Sequence, residues 1–132
     1  MTVRLALVGD LILDEPGPAS YFEPSAGLLR SADLVVGHVE VPHTRRASPQ
    51  RVLVPAPPAD PDHLDALAGA GVGVATLAGN HIGDSGPPGV EDTLAKLHDL
   101  GIATAGAGMT GWNVNQIDTA VMRTASTTPA TT

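Results

Sequence analysis

Four residues that could bind a metal or a phosphate stand at the ends of three apolar runs: Asp10, Glu40, and the pair Asn80-His81. Carboxylate, amide and imidazole together make a donor set suited to Mn, Fe or Zn. Such ions clamp phosphoryl oxygens and acidify water. Each residue alone has a plainer reading. An Asp after Gly is commonly a turn or cap residue. Glu40 could be a solvated strand terminus, and Asn80 could occupy a left-handed turn. His38, His43, His63 and His98 default to structural or exposed roles. Spacing alone leaves the metal reading evenly balanced. The recurrence at successive strand ends favours it, because ligands of an open parallel sheet bind beyond the carboxyl ends of the strands.

The elements that must position these residues follow from apolar patterning. Residues 3–8 form a short apolar run that predicts a strand buried on both faces and ending at Gly9-Asp10. Residues 13–24 read as loop and residues 24–31 as a short helix. A second strand is expected over 33–40. Residues 41–60 hold five prolines and three arginines and predict an irregular excursion, with a short extended piece at 52–54. Asp60 then caps a helix with Pro61 in its first position. Leu64, Leu67 and Ala68 share one face of that helix, and Gly71 stops it. A third strand runs over 72–78, followed by a Gly/Pro turn at 83–89. A helix over 88–100 carries Val90, Leu94 and Leu97 on one side. Glu91 and Asp92 fall in its first turn, and Asp92 and Lys96 form an i,i+4 pair. A fourth short strand at 102–105 closes on Gly106-Ala107-Gly108. This alternation predicts an α/β fold with a mostly parallel sheet and flanking helices.

Composition narrows the function classes. The 132 residues suit one domain at most, and the net charge of −7 leaves no basic stripe for a nucleic-acid duplex. Arg45, Arg46 and Arg51 form the one basic cluster, either a solvated loop or an anion-steering one. Without cysteine, thiolate sites and disulfides are excluded. No stretch reaches the roughly 18 apolar residues of a membrane span, and no signal peptide is recognisable, so a cytoplasmic location is expected. Tyr21, Phe22 and Trp112 are the only aromatics, so the core must be aliphatic.

Residues 5–108 resemble the N-terminal part of the CapA family of capsule or poly-γ-glutamate biosynthesis proteins. The matching pieces are Val8-Gly9-Asp10, the stretch 32–42 containing Asp33, His38 and Glu40, and the stretch 78–86 reading Ala-Gly-Asn-His-Ile-Gly-Asp-Ser-Gly. Gly89 to Leu94, Leu97, Leu100-Gly101-Ile102 and Gly106-Ala107-Gly108 complete the match. The resemblance implies the N-terminal half of a metallophosphoesterase-like αββα sandwich with a dinuclear centre of Mn, Fe or Zn. It implies Asp10, Glu40 and Asn80 as metal ligands and His81 as the acid or charge stabiliser at the phosphate. Asp84 would orient His81 or shape the turn, and Gly79, Gly83 and Gly86 would give the backbone its freedom there. His38 stands where the family usually has Asn, either as a further ligand or as a mimic of that residue's hydrogen bond. Gly79 stands where a second Asn is common, and Ile12 where many metallophosphoesterases carry a His.

The family's later His-Trp-Gly-like and Gly-His-x-His-like segments have no counterpart here. After Gly108 the polar candidates are Asn113, Asn115, Gln116 and Asp118. Residues 1–108 are therefore expected to form a partial domain and residues 109–132 a divergent, disordered tail left by truncation or a frame change. The expected function is a metal-dependent phosphoester hydrolase of capsule synthesis, weakly active or inactive, acting on a small phosphoester or an anionic polymer. A partner chain would complete the fold. The alternatives are a non-catalytic module that binds an anionic polymer or a partner chain, and a remnant without function.

Overall fold

The computed structural model describes residues 2–46 and 56–108. The expectations for Arg51, for an extended piece at 52–54 and for the segment 109–132 lie outside these residues. Four strands form one parallel sheet in the order β1-β2-β3-β4: β1 Leu5–Leu11, β2 Leu34–Val39, β3 Val72–Thr76 and β4 Ala103–Ala105. Between them lie α1 Ala26–Arg30, α2 Asp65–Ala70 and α3 Gly86–Asp99, with 3-10 helices at Pro18–Ser25 and Pro61–Leu64. The α/β class with a parallel sheet and flanking helices agrees with the sequence.

Neighbouring parallel strands in chain order need right-handed crossovers, which carry all three connections over the same face of the sheet. Burial follows that rule. The cross-strand rows Ala6-Val35-Val72 and Val8-Gly37-Ala75 face the helices. Val35, Val72 and Ala75 are buried there together with Leu29, Leu64, Leu67 and Leu97. The opposite face carries the rows Leu5-Leu34, Leu7-Val36-Val74-Ala103 and His38-Thr76-Ala105. No described helix covers it. Val3, Leu5 and Leu7 are 61%, 57% and 75% exposed. The first strand is thus not buried on both faces: its apolar run lies on a sheet edge with one face open.

Local rules account for most boundaries. The Asp60 side chain accepts from the Asp62 amide at 2.9 Å, and Pro61 follows at the first helical position. Gly71 closes α2 in a left-handed conformation. Helix α3 starts two residues before the expected Pro88, so Glu91 and Asp92 lie beyond its first turn. The Asp92–Lys96 pair does not form. Lys96 instead reaches Asp65 at 2.8 Å and Asp62 at 3.5 Å, while Asp92 accepts from Arg46 and from the Thr44 hydroxyl. Charges brought in by other elements displace the local partner.

The segment 41–46 is strapped onto α3. Thr93 is fully buried, and its hydroxyl accepts from the His43 amide at 2.8 Å while donating to the Gly89 carbonyl at 2.7 Å. Thr93→Val keeps the shape and leaves the His43 amide without a partner. Urea unfolding should show a loss of about 1–3 kcal/mol. His43 itself is fully buried; its Nδ1 donates to the Val41 carbonyl at 3.0 Å, and Nε2 has no partner among the described residues. Burial pushes its pKa down to about 4, with His63 adding repulsion and the Val41 carbonyl, Asp60 and Asp14 opposing the fall. A folded pKa below the unfolded value means that protonation favours unfolding. The associated stability is present above about pH 6.5 and is lost as pH falls toward 4. Between pH 7 and pH 4.5 that loss should be on the order of 2 kcal/mol. Chemical denaturation of His43→Leu across the same window should show a shallower fall.

Candidate metal centre

Parallel pairing places the carboxyl ends of all four strands on one rim of the sheet. Strand β1 continues to Leu11 instead of stopping at Asp10, but its ladder with β2 is irregular between Val8 and Leu11. Such an irregularity re-aims the side chains within it, and Asp10 leaves the ladder there. Glu40 follows directly on β2. Strand β3 ends at Thr76, two residues short of the expected limit, and the chain turns through Gly79 to Asn80-His81.

Asp10, His38 and Glu40 converge, with one donor atom of each within 4.8 Å of the others. His38 Nε2 lies 2.8 Å from Glu40 Oε2 and 3.6 Å from Asp10 Oδ1. Its Nδ1 lies 3.1 Å from the Thr76 hydroxyl, the cross-strand neighbour of His38 in β3. That hydroxyl can donate or accept, so it serves either tautomer of the ring. The exposure is graded: the Asp10 side chain is 60% exposed, His38 24% and Glu40 12%. Two carboxylates and an imidazole, each able to offer one donor atom to the same point, fit a borderline divalent ion such as Mn, Fe or Zn.

The backbone approaches this cluster only because two positions lack side chains. A Cβ at Gly79 would fall 2.9 Å from both Glu40 Oε2 and His38 Nε2. A Cβ at Gly9 would fall 2.9 Å from the His38 Cβ. The sequence pointed to His38 as one option and defaulted it to a structural role. The structure puts it at the middle of the cluster. The missing signal was its pairing with Thr76, a contact between residues 38 positions apart.

His81 and Asp84 form a second unit beside the first. His81 Nδ1 lies 2.7 Å from Asp84 Oδ2, and that oxygen also accepts from the Ala56 amide at 2.8 Å. Asp84 is 5% exposed, whereas the His81 side chain is 27% exposed. Asp84 thus orients the ring and leaves Nε2 outward. The bond to Asp84 raises the His81 pKa above its ordinary value, helped by the negative charges of Asp84 and Glu40 and opposed by partial burial. Asn80 is exposed, its side chain bonds no described residue, and it does not take a left-handed conformation, since no described non-glycine residue has positive φ.

The other candidates lie elsewhere. His43 is the buried strap residue, His63 bonds the Leu13 carbonyl at 2.7 Å, and the His98 side chain is 91% exposed. Arg45 is taken up by Asp60 and Asp62, and Arg46 by Glu91 and Asp92. These two guanidiniums tie the excursion to the 3-10 turn that precedes α2 and to α3, with their charges paired to acids.

The family model described as bacterial capsule synthesis protein PGA_cap matches residues 4–127. No curated protein matches the chain. Among the described residues, no helix is long and apolar enough to cross a membrane.

The orienting bond gives a direct test. In metal-free protein, the imidazole resonances of His81 should titrate with a midpoint above the ordinary histidine value. In Asp84→Asn that midpoint should fall. An unchanged midpoint in the variant would show that Asp84 does not set the state of the ring.

Proposed function

Because the chain belongs to the bacterial capsule synthesis protein PGA_cap family, we propose that it carries a divalent-metal centre of the phosphoesterase type and hydrolyses a phosphoester in capsule synthesis. The observation that supports this most is the convergence of Asp10, His38 and Glu40 donor atoms within 4.8 Å on the carboxyl rim of a parallel sheet.

Asp10, His38 and Glu40 would hold the ion, with the Thr76 hydroxyl holding the His38 ring in place from behind. When bound, Mn, Fe or Zn supplies Lewis acidity toward a phosphoryl oxygen and toward water. Asn80, exposed next to Gly79, offers an amide oxygen as a further donor. His81 would place its protonated Nε2 at the phosphoryl or leaving oxygen. The bond to Asp84 raises its pKa and so favours the protonated ring, and it holds the ring in one orientation. The described donors occupy one side of a coordination sphere, which suits weak binding of a first ion and slow turnover. A dinuclear centre would need donors beyond the three.

A non-catalytic binding role is the second reading. The exposed Leu5 and Leu7 on the open sheet face favour it, since a contiguous apolar face of this kind serves association.

Calorimetry with Zn²⁺ or Mn²⁺ on chelator-treated protein separates the two. Saturable binding should weaken at least about tenfold in His38→Ala. Thr76→Val should give a smaller loss, as removal of a hydrogen-bond partner behind a ligand does. Hydrolysis of an aryl phosphate should be chelator-sensitive and fall in His81→Ala. Wild-type protein that takes up neither ion at millimolar concentration would sink the metal reading and leave the binding role.

A further inference from the structure

A pocket of about 280 Å³ lies beside the cluster on the outer side of β1, and nothing above uses it. Asp10 is on its lining, next to the donor cluster; its walls include Leu13, Tyr21, Phe22, Ser25 and Leu29. Leu13, Phe22 and Leu29 are almost fully buried and belong to the core, so that part of the wall is fixed. Tyr21 is different: it is 47% exposed. The chain has only three aromatic residues, and two of them line this one pocket.

We propose that the pocket receives an uncharged, ring-sized apolar group of the ligand whose anionic end lies at the Asp10–His38–Glu40 cluster. The placement of the anionic end rests on the metal-centre reading; the apolar occupancy does not. Size sets the first limit. A cavity of roughly 150 Å³ holds benzene, so this half-open pocket of about 280 Å³ has room for a substituted ring. Charge sets the second. No described lysine or arginine lines the pocket, and the lining carries the Asp10 carboxylate, so an anionic substituent would be repelled there. Wall chemistry sets the third. The Tyr21 ring offers a face or edge for an aromatic or alicyclic group, and the Tyr21 and Ser25 hydroxyls can meet a single polar substituent. A phosphoester with a ring-bearing leaving group would then be bound at both ends, and the pocket would select among phosphoesters that the metal cluster alone treats alike.

Three probes test this on the full chain: phenol, phenyl phosphate and inorganic phosphate. In chelator, phenol should shift the backbone amide resonances of Leu13, Phe22 and Ser25 in two-dimensional NMR spectra. Its affinity should fall about fivefold in Tyr21→Ala and be lost in Ser25→Leu, which fills the space. The amides of α3 report whether each variant is folded. With Zn²⁺ present, phenyl phosphate should bind about tenfold tighter than inorganic phosphate, and the two should become equal in Ser25→Leu. Phenol that moves none of the three amides, or that binds folded Ser25→Leu as it binds the wild type, overturns the proposal. If phenol occupies the pocket while neither phosphate responds to Zn²⁺, the metal-centre reading fails and the apolar occupancy stands.

Discussion

Two carboxylates held close together on a chain of net charge −7 are the constraint from which the rest of the site follows. At 4.8 Å, the upper limit on the separation of their donor atoms, two unit charges repel by about 1 kcal/mol in bulk water and by about 3–4 kcal/mol at an effective dielectric near 20. The exposure of Asp10 keeps the interaction nearer the lower figure, while the shielded Glu40 raises it. Something positive or proton-donating has to stand between them. His38 does so here, with Nε2 facing Glu40 and Asp10 and Nδ1 facing Thr76. A cation placed there would take Nε2 as a donor, with the ring proton on Nδ1 and the Thr76 hydroxyl accepting from it. A histidine in this place therefore answers the electrostatic problem in both states. An asparagine, lacking a titratable nitrogen, could not make that exchange.

The scaffold makes such a cluster possible by ordering strands along the chain and in space alike. All three crossovers fall on one face, so the described helices bury one side of the sheet and leave the rim clear. What would otherwise be a loose excursion between β2 and α2 is pinned at both described ends. Arg45 and Arg46 bind four acids on α3 and around the start of α2, and His43 is packed under Thr93. The exposed ion pairs are worth little singly. The buried amide–hydroxyl contact and the buried imidazole carry more of the energy, because they cannot be exchanged for water without opening the strap. The strap is also continuous with the site: Ala56, at the return of the excursion, donates to the same Asp84 oxygen that orients His81.

The order of strands and helices was legible in the sequence because local signals agreed with the global fold. Asp60-Pro61, Gly71 and the Val90-Leu94-Leu97 spacing each mark an element that the structure contains. The residues at strand ends were legible for the same reason: parallel topology alone sends them to one rim. Three features were not legible, and all three depend on pairing across the chain. The burial of β1 depends on which face the crossovers cover, which a run of apolar residues does not encode. The loss of the Asp92–Lys96 pair depends on acids and an arginine from other elements. The place of His38 depends on a register that sets it beside Thr76 and over Gly9. Its position two residues before Glu40, where the family usually has Asn, marked it as one option beside a structural role, and only the register decides between them.

The open face of the sheet and the candidate centre are not independent features. The row Leu7-Val36-Val74 lies on the same face as the row His38-Thr76 and immediately precedes it along the strands. Whatever excludes water from the first row lowers the dielectric at the second. Repulsion between Asp10 and Glu40 would then grow, and so would attraction for a cation between them, since both scale inversely with the dielectric. The hydrogen bond from His81 to Asp84 would strengthen by the same reasoning. Covering the apolar face would thus strengthen both the repulsion within the cluster and any attraction it has for a cation, against the cost of desolvating the charges.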